Sequence, residues 1–273
     1  MKKIVLATDF SNGSDKALEI AINIAKKNIS EITLLHCYSP TYTDPNIPAD
    51  LMIDVEQKRQ EELEGKLTNL ARSVQEKGVV TKYNLKMSTV AESINEMAEN
   101  GEADFAILGK TGDTGFLEKL IGSTAENVIN KVKIPLLVVP EKIESTSIEH
   151  LFYATQLEYD ETGLLGQVFD FADHIKANVE LLNINTDRQL DLVSDQEIIA
   201  ELNEKFPNRV IEVSQLRANK VEKTILDHVT SIPNSALAIA SHHRDLFESL
   251  LNPSMSKKII AKTEVITLVY HFE

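Results

Sequence analysis

Residues 3–38 read KIVLATDFSNGSDKALEIAINIAKKNISEITLLHCY, and the hydrophobic period changes twice within them. Residues 3–8 are an aliphatic, β-branched run that predicts a strand. Residues 14–28 place Ala17, Leu18, Ala21 and Ile22 at helical spacing, and residues 32–38 return to a strand run. A strand, a helix and a second strand in this order predict a right-handed parallel βαβ unit.

The alternation continues up to residue 139. A helix is predicted over residues 54–77 and a strand over 79–87, and Thr89 with Glu92 forms a capping-box signal for a helix that stops at Gly101. A strand over 105–108, a glycine-rich loop, a helix over 123–131 and a strand over 136–139 follow. In the helix over 54–77 the side chains expected to face the core are Val55, Leu63, Leu67, Leu70 and Val74.

The same order recurs from residue 148. Strands are predicted over residues 151–155, 179–184, 210–216, 236–240 and 265–270, and helices over 162–177, 195–206, 221–230 and 254–262. Part of the repeat is also visible as sequence similarity, since KIVLATDF aligns with HLFYATQL and EITLLHCY with NVELLNIN. We therefore predict two tandem copies of one domain, a first half over residues 1–143 and a second half over residues 148–273, joined by a short polar connector.

Short apolar strands that alternate with helices require a parallel sheet covered by helices on both faces. Each half is therefore predicted to be a doubly wound, Rossmann-like α/β domain with five parallel strands. Ligands of such domains bind beyond the carboxyl ends of the strands, where the strand order reverses. The segments after the first, second and fourth strands are the candidate ligand contacts.

Composition restricts the function. The 273 residues carry 28 Lys and Arg against 42 Asp and Glu, a formal charge of −14, which disfavours nucleic acid as a partner. The single cysteine, Cys37, cannot form an intramolecular disulfide, and the first residues resemble neither a signal peptide nor a membrane span, so we expect a cytoplasmic protein with no membrane contact.

The loop after the fourth strand concentrates glycine. Residues 108–124 read LGKTGDTGFLEKLIGST and hold four of the ten glycines in the chain. Glycine lets the backbone approach a ligand closely, and a Gly-Ser-Thr at the start of a helix offers backbone N–H groups and hydroxyls to a phosphate. The alternative is a flexible connection with a serine N-cap.

The spacing Gly109-x2-Gly112-x9-Gly122-Ser123 resembles the nucleotide-binding signature of the universal stress protein family. Asp9, at the end of the first strand, matches an aspartate of that family, and the order of elements is similar over the whole chain. The resemblance implies the adenine nucleotide alpha hydrolase-like fold, with strand order 3-2-1-4-5 in each domain. It also implies that the last strands of the two halves pair, through residues 136–139 and 266–270, into an internal pseudo-dimer, and that chains associate further into homo-oligomers.

The resemblance also implies ligand contacts in the first half. Ala7, Thr8, Asp9 and Cys37 would contact the adenine side of ATP or another adenine nucleotide. The ribose and phosphates would be held by the residues that match the glycine-rich signature: Leu108, Gly109, Gly112, Gly122, Ser123 and Thr124. A Mg²⁺ ion would bridge the phosphate oxygens.

Some of these residues have simpler interpretations. Asp9 could be the N-cap of the following helix. Cys37 could be a small buried hydrophobe, and we assign it no catalysis. His36 lies inside a predicted strand, where packing is a simpler explanation than function.

The second half departs from the signature. Gln156 replaces Asp9, Ser241 replaces Gly109 and Arg244 replaces Gly112, and Pro253-Ser254 stands where Gly122-Ser123 would be. Residues 144–273 also carry a net charge of −10, against −4 for residues 1–143. Poor or absent nucleotide binding is expected there.

His242 and His243 invite a metal interpretation, but no further ligand at metal-site spacing supports it, and a polar loop that covers the degenerate site or meets a partner is the preferred alternative. The sequence has no P-loop, G-x-G-x-x-G, G-x-S-x-G or H-E-x-x-H motif, so no dedicated enzyme is predicted.

The leading hypothesis is a regulatory ATP-binding stress protein whose second half is structural or binds a protein partner. The alternatives are a nucleotide-independent scaffold or chaperone-like factor, and a slow ATPase in which Asp9 positions metal or water.

Overall fold

The computed structural model describes residues 1–39, 49–110, 123–155, 161–185, 195–218, 220–242 and 263–272. The strands are β1 (Lys3–Ala7), β2 (Glu31–Cys37), β3 (Thr81–Lys86), β4 (Phe105–Lys110), β5 (Leu136–Pro140), β6 (His150–Thr155), β7 (Asn178–Asn185), β8 (Glu212–Arg217), β9 (Ser235–His242) and β10 (Ile266–Phe272). The helices are α1 (Asn12–Asn28), α2 (Ala49–Glu76), α3 (Val90–Glu99), α4 (Ser123–Lys131), α5 (Thr162–Ile175), α6 (Asp195–Lys205) and α7 (Val221–Thr230). The predicted helix over 254–262 lies outside the described residues.

The ten strands form one sheet, in the order β3-β2-β1-β4-β5-β10-β9-β6-β7-β8. Within each half the five strands are parallel and follow the order 3-2-1-4-5 that the resemblance implied. The halves are joined by the antiparallel pair β5 and β10, in which Leu268 lies opposite Leu137. The pairing of last strands expected from the sequence is therefore present, and the two predicted sheets are continuous with each other.

Both faces of the sheet are buried because each strand alternates between two helical layers. In β1, Ile4 and Leu6 contribute to a core with α1, α2, α5 and α6, whereas Val5 and Ala7 face a core with α3, α4 and α7. This double burial explains why inner strands such as β1 and β5 are continuous apolar runs, whereas the edge strands β3 and β8 are largely polar.

The capping-box prediction for α3 is confirmed. The Thr89 hydroxyl accepts a hydrogen bond from the Glu92 N–H at 3.3 Å and donates one to the Glu92 carboxylate at 2.8 Å. Hydrogen bonds from Thr89 and Ser88 lower the pKa of the Glu92 carboxyl. The capping pair thus fixes the start of the helix that covers the end of β3.

One core prediction in α2 is wrong. Leu67 and Val74 are fully buried, but Val55 is 56% exposed. Leu51 and Ile53 are exposed to a similar extent. A helix of 28 residues is about 42 Å long, whereas the six-residue strand beside it spans about 20 Å. The first turns of α2 therefore extend past the sheet, and their apolar side chains do not reach the core formed by the described residues.

None of the helices in the described ranges is long and apolar enough to span a bilayer.

Candidate functional site

The predicted site lies where β1 and β4 run side by side and their connections leave in opposite directions. Ala7, near the end of β1, pairs with Leu35 of β2 on one side and with Leu108 of β4 on the other. Both Ala7 and Leu108 are buried. This is the point of strand-order reversal at which doubly wound sheets bind ligands.

Thr8 organises the loop between β1 and α1. Its buried hydroxyl accepts a hydrogen bond from the Phe10 N–H at 3.1 Å and donates one to the Ser14 hydroxyl at 3.2 Å. The Ser14 hydroxyl in turn donates to the Ser11 carbonyl at 2.8 Å. The side chains of Thr8 and Ser14 thus fix the loop against the first turn of α1.

Asp9 is exposed and is not the N-cap of α1, so that alternative is wrong. The N-cap is Ser11, whose hydroxyl accepts a hydrogen bond from the Ser14 N–H at 3.4 Å. Oxygen Oδ1 of Asp9 accepts hydrogen bonds from the Ser11 N–H at 3.0 Å and from the Ser11 hydroxyl at 2.5 Å. The Asp9 carboxylate therefore holds the capping serine in place while it remains at the surface of the site.

Gly109 has a structural role that needs no ligand. A Cβ at this position would lie 2.4 Å from the carbonyl carbon and oxygen of Gly13 and 2.5 Å from the Ser14 nitrogen. These are backbone atoms, so they cannot move aside as a flexible side chain would. The glycine lets β4 approach the first turn of α1, which brings the start of the glycine-rich loop next to the Thr8 and Ser14 side chains.

The sequence interpretation missed the contribution of His36 and Phe10. Nδ1 of His36 lies 2.7 Å from the Thr8 carbonyl oxygen, and the His36 ring lies 4.8 Å from the Phe10 ring, centroid to centroid. Phe10 adopts a φ of +62°, which is rare for a bulky residue and is found preferentially at functional sites. The ammonium of Lys66, on α2, lies 6.0 Å from the Phe10 ring centroid.

A signal for this cluster exists in the sequence. Strand alternation places His36 on the same face of β2 as Leu34, which is the face that α1 and α2 cover. Its position one residue before Cys37 then puts it at the carboxyl end of the strand, beside Thr8.

Cys37 contributes to the opposite face. Its thiol donates a hydrogen bond to the Ser93 hydroxyl at 3.4 Å, and burial raises the pKa of the thiol. Burial is the larger effect and favours the protonated thiol at neutral pH, although the Ser93 hydrogen bond acts in the opposite direction.

The remaining predicted contacts lie partly outside the described residues. Gly112 and Gly122 are outside them. Ser123 is the first residue of α4 and Thr124 the second, as predicted, but the placement of their side chains is not described.

The second half repeats this geometry with different chemistry. Asn183 occupies the position of His36, and its Nδ2 donates a hydrogen bond to the Thr155 carbonyl at 3.2 Å. This contact matches that of the His36 ring with the Thr8 carbonyl. Glu161 occupies the position of Ser14, and its carboxylate accepts a hydrogen bond from the Thr155 hydroxyl at 2.5 Å. A carboxyl group at the N-cap of α5 thus takes the place of a hydroxyl in the first turn of α1.

Burial raises the pKa of the Glu161 carboxyl, although the hydrogen bond from Thr155 acts in the opposite direction. The Tyr153 side chain, which replaces Leu6 of the first half, is fully buried beside it, and burial raises the pKa of its phenol as well. When Glu161 is ionised, it places a negative charge where the first half has the uncharged Ser14 hydroxyl, which disfavours an anion nearby.

The other second-half substitutions are less informative. Gln156, Arg244, Pro253, Ser254 and His243 lie outside the described residues. His242 ends β9 and lies opposite Phe272 of β10. Across the described ranges no three His, Cys, Asp or Glu side chains are grouped as metal ligands.

One hydrogen bond links the candidate site directly to the second half. The ammonium of Lys110, the last residue of β4, donates to the Thr263 carbonyl at 3.2 Å. The Lys110 carbonyl accepts from the Glu141 N–H at 3.1 Å. The residue that precedes the glycine-rich loop is therefore held by the connector and by the segment that leads into β10.

Comparison with known proteins adds independent information. A model described as the universal stress protein family matches residues 1–140. Universal stress protein MJ0531 of Methanocaldococcus jannaschii is 35% identical over 141 residues, which cover 50% of this chain and 81% of that protein. Universal stress protein Sll1388 of Synechocystis is 29% identical over 148 residues, which cover 50% of this chain and 96% of that protein.

A solved structure resembles the whole molecule. The crystal structure of a universal stress protein from Archaeoglobus fulgidus aligns with a TM-score of 0.75 and covers 98% of both chains, at 19% identity. The similarity in sequence to the two relatives spans about half of the chain, whereas this similarity in fold spans both halves.

Proposed function

The chain belongs to the universal stress protein family, and on that premise we propose that its first half binds ATP or another adenine nucleotide as a regulatory ligand in the response to stress. The second half serves as a structural or partner-binding copy. The lone thiol of Cys37 fits a reducing cytoplasm, and further association into homo-oligomers is part of the same proposal.

The observation that carries the proposal is the gap-free spacing from Gly109 to Ser123, together with its place in the fold. The signature begins in β4, beside the end of β1, and its last position coincides with the first residue of α4. A helix N-terminus supplies N–H groups and a positive dipole end to a phosphate. The loop thus connects a strand end at the reversal point with an anion-binding helix terminus.

The proposed ligand contacts form two groups, one for the adenine side and one for the ribose and phosphates. The adenine side is assigned to Ala7, Thr8, Asp9 and Cys37, and the His36 and Phe10 rings extend that surface beyond β1. The ribose and phosphates are assigned to Leu108, Gly109, Gly112, Gly122, Ser123 and Thr124. Because Oδ1 of Asp9 is occupied by Ser11, we assign Mg²⁺ to the nucleotide phosphates rather than to a protein carboxylate.

The buried carboxyl of Glu161 supports a nucleotide-free second half. Its position matches that of Ser14, so an ionisable carboxyl stands where the first half has an uncharged hydroxyl, and its charge disfavours an anionic ligand nearby. We therefore expect one nucleotide site per chain.

The test is a calorimetric titration of nucleotide-stripped protein with Mg-ATP. We expect saturable binding with a stoichiometry near one, lost in Gly122→Pro because proline removes an N–H from the phosphate loop and restricts its backbone. The matched control is Pro253→Gly, which changes the equivalent position of the second half and should leave both stoichiometry and affinity unchanged.

Thermal unfolding of both variants checks that they are folded. Absence of binding heat and of any thermal shift with ATP, ADP or AMP in folded wild type would overturn the proposal. That result would favour a nucleotide-independent scaffold. A stoichiometry of two would contradict the role assigned to the second half.

A further inference from the structure

β3 is the outermost strand of the first half, and its outer side has no strand partner in the described part of the chain. The carbonyls of Val80 and Lys86 accept hydrogen bonds from Ile32 and Tyr38 on the β2 side. Because backbone groups alternate along a strand, those of Thr81, Tyr83 and Leu85 point outward. Nε2 of Gln75 donates a hydrogen bond to the Thr81 carbonyl at 2.9 Å. The outward-pointing backbone groups of Tyr83 and Leu85 are left for another strand.

Two hollows flank the amino-terminal end of this strand. The first, of about 410 Å³, lies between α2 and β3 and is lined by residues that include Arg72, Lys82 and Tyr83. The second, of about 430 Å³, lies at the amino ends of β1 and β2 and continues to Val80. The name β3 surface is used below for the outer edge of β3 together with these two hollows.

The β3 surface is basic in a chain whose net charge is −14. The cationic lining residues are Lys2, Lys3, Lys26, Arg72 and Lys82. Glu31 is the one acid among the lining residues of the described chain, and Lys82 binds it at 3.1 Å. The Lys3 ammonium donates to the Gly101 carbonyl, so the cations that remain for a partner are chiefly Lys2, Lys26 and Arg72.

The same surface exposes apolar side chains. Ile29 is 96% exposed and Val80 is 65% exposed, and both line the second hollow. Ile29 also adopts a left-handed φ of +53°, which a β-branched residue rarely does. The equivalent C-cap of α5 is Lys176, with a φ of +59°, so the second half places a polar residue where the first half exposes an aliphatic one.

We propose that the β3 surface is a docking site for an acidic, extended segment of a partner protein, which adds as a strand to the outer edge of β3. Main-chain hydrogen bonds to Tyr83 and Leu85 would supply affinity, as in other cases of strand addition. Acidic side chains of the added strand would reach Arg72. The part of the segment that continues past the amino-terminal end of β3 would lie over the second hollow, beside Lys2, Lys26, Val80 and Ile29.

Lysines on edge strands also serve to prevent strand pairing. In β3, however, Lys82 and Lys86 are paired with Glu31 and Glu96, and the excess positive charge lies in the hollows beside the strand. A second copy approaching through the same edge would bring its own cations against these, so charge complementarity favours an acidic partner over self-association.

The probe is a blocked eight-residue peptide of alternating Glu and Val, titrated into the isotope-labelled full chain and followed by NMR. We expect saturable shifts of the Tyr83 and Leu85 amides and binding that weakens as salt rises. The same peptide with N-methyl groups on the residues that face the strand, or with Lys in place of Glu, should bind at least tenfold more weakly.

The protein variant is Arg72→Glu with Lys26→Glu, which should also weaken binding at least tenfold. Its matched control is Lys16→Glu with Lys133→Glu, which reverses two ion-paired surface lysines elsewhere in the first half and should leave binding unchanged. The proposal is overturned by an absence of shifts up to millimolar peptide, by equal binding of the Lys or N-methyl peptide, or by equal effects of the two double variants. It is also overturned if the β3 edge mediates self-association that Arg72→Glu with Lys26→Glu abolishes.

Discussion

At the scale of single residues, the two halves use the same backbone positions for different chemistry. Thr8 and Thr155 each present a carbonyl to a polar side chain of the neighbouring strand, His36 in one case and Asn183 in the other. Their hydroxyls then donate to a hydroxyl in the first half and to a carboxylate in the second. Only the second half therefore has an ionisable carboxyl, that of Glu161, at this position.

This difference predicts a pH dependence for Glu161→Gln. The pKa of Glu161 is raised in the folded protein, so the stability it contributes is fully present below its unfolded-state pKa and is lost as the pH rises through its folded-state pKa. Glutamine preserves the shape and carries no charge. We therefore expect the free energy of unfolding of Glu161→Gln to increase relative to that of wild type as the pH rises from 4 to 8.

The opposite sign is expected of Glu92→Gln. The pKa of Glu92 is lowered in the fold, so its contribution is present above the unfolded-state pKa and disappears in acid. Urea unfolding supplies the measurement, over pH 4 to 8 for Glu161→Gln and at pH values below the ordinary pKa of 4.5 for Glu92→Gln. Parallel curves for wild type and Glu161→Gln would show that the carboxyl is not buried as described.

At the scale of elements, the contact between β4 and α1 depends on Gly109. Gly109→Ala would place a Cβ at 2.4 Å from the Gly13 backbone, and separating a strand from a helix in a packed core costs about 1–3 kcal/mol. We expect that loss in urea unfolding without any nucleotide present.

The control for this prediction is Gly65→Ala in α2. A Cβ there meets nothing within 4 Å, and replacing glycine by alanine in a helix stabilises by about 0.5–1 kcal/mol. If Gly109→Ala left the free energy of unfolding unchanged, the glycine would have to be explained by a ligand and not by packing.

The elements themselves were largely predictable, and the contacts between them were not. The period of the apolar residues located every described strand and helix, and Thr89 with Glu92 fixed the start of α3, because these signals are local. The exposure of Val55 could not be predicted, since it depends on the length of α2 relative to a sheet edge. The contact of Gly109 with Gly13 joins residues far apart in sequence, which local patterns do not encode, whereas strand alternation was sufficient to place His36 beside Thr8.

At the scale of the whole molecule, the two halves share a core as well as a pair of strands. Phe105 of β4 stacks on Phe171 of α5 with ring centroids 5.3 Å apart, and both side chains are nearly fully buried. The Lys27 ammonium donates to the Ile175 carbonyl at 2.8 Å, which ties α1 to the end of α5. With the β5–β10 pair, these contacts connect the halves on the sheet and on the helical layer that covers it.

Such a shared core predicts that the chain unfolds as one unit. Phe171→Ala should remove about 3–5 kcal/mol from the free energy of unfolding because it leaves a cavity against Phe105. Calorimetry should still show a single transition at lower temperature, and hydrogen exchange should become faster in the first half as well as the second, although the substitution lies in the second. If instead a second transition appeared and the amides of β1 and β2 kept their wild-type protection, the halves would be independent units, and a ligand bound at Gly109 could not act on the second half through the packed interface.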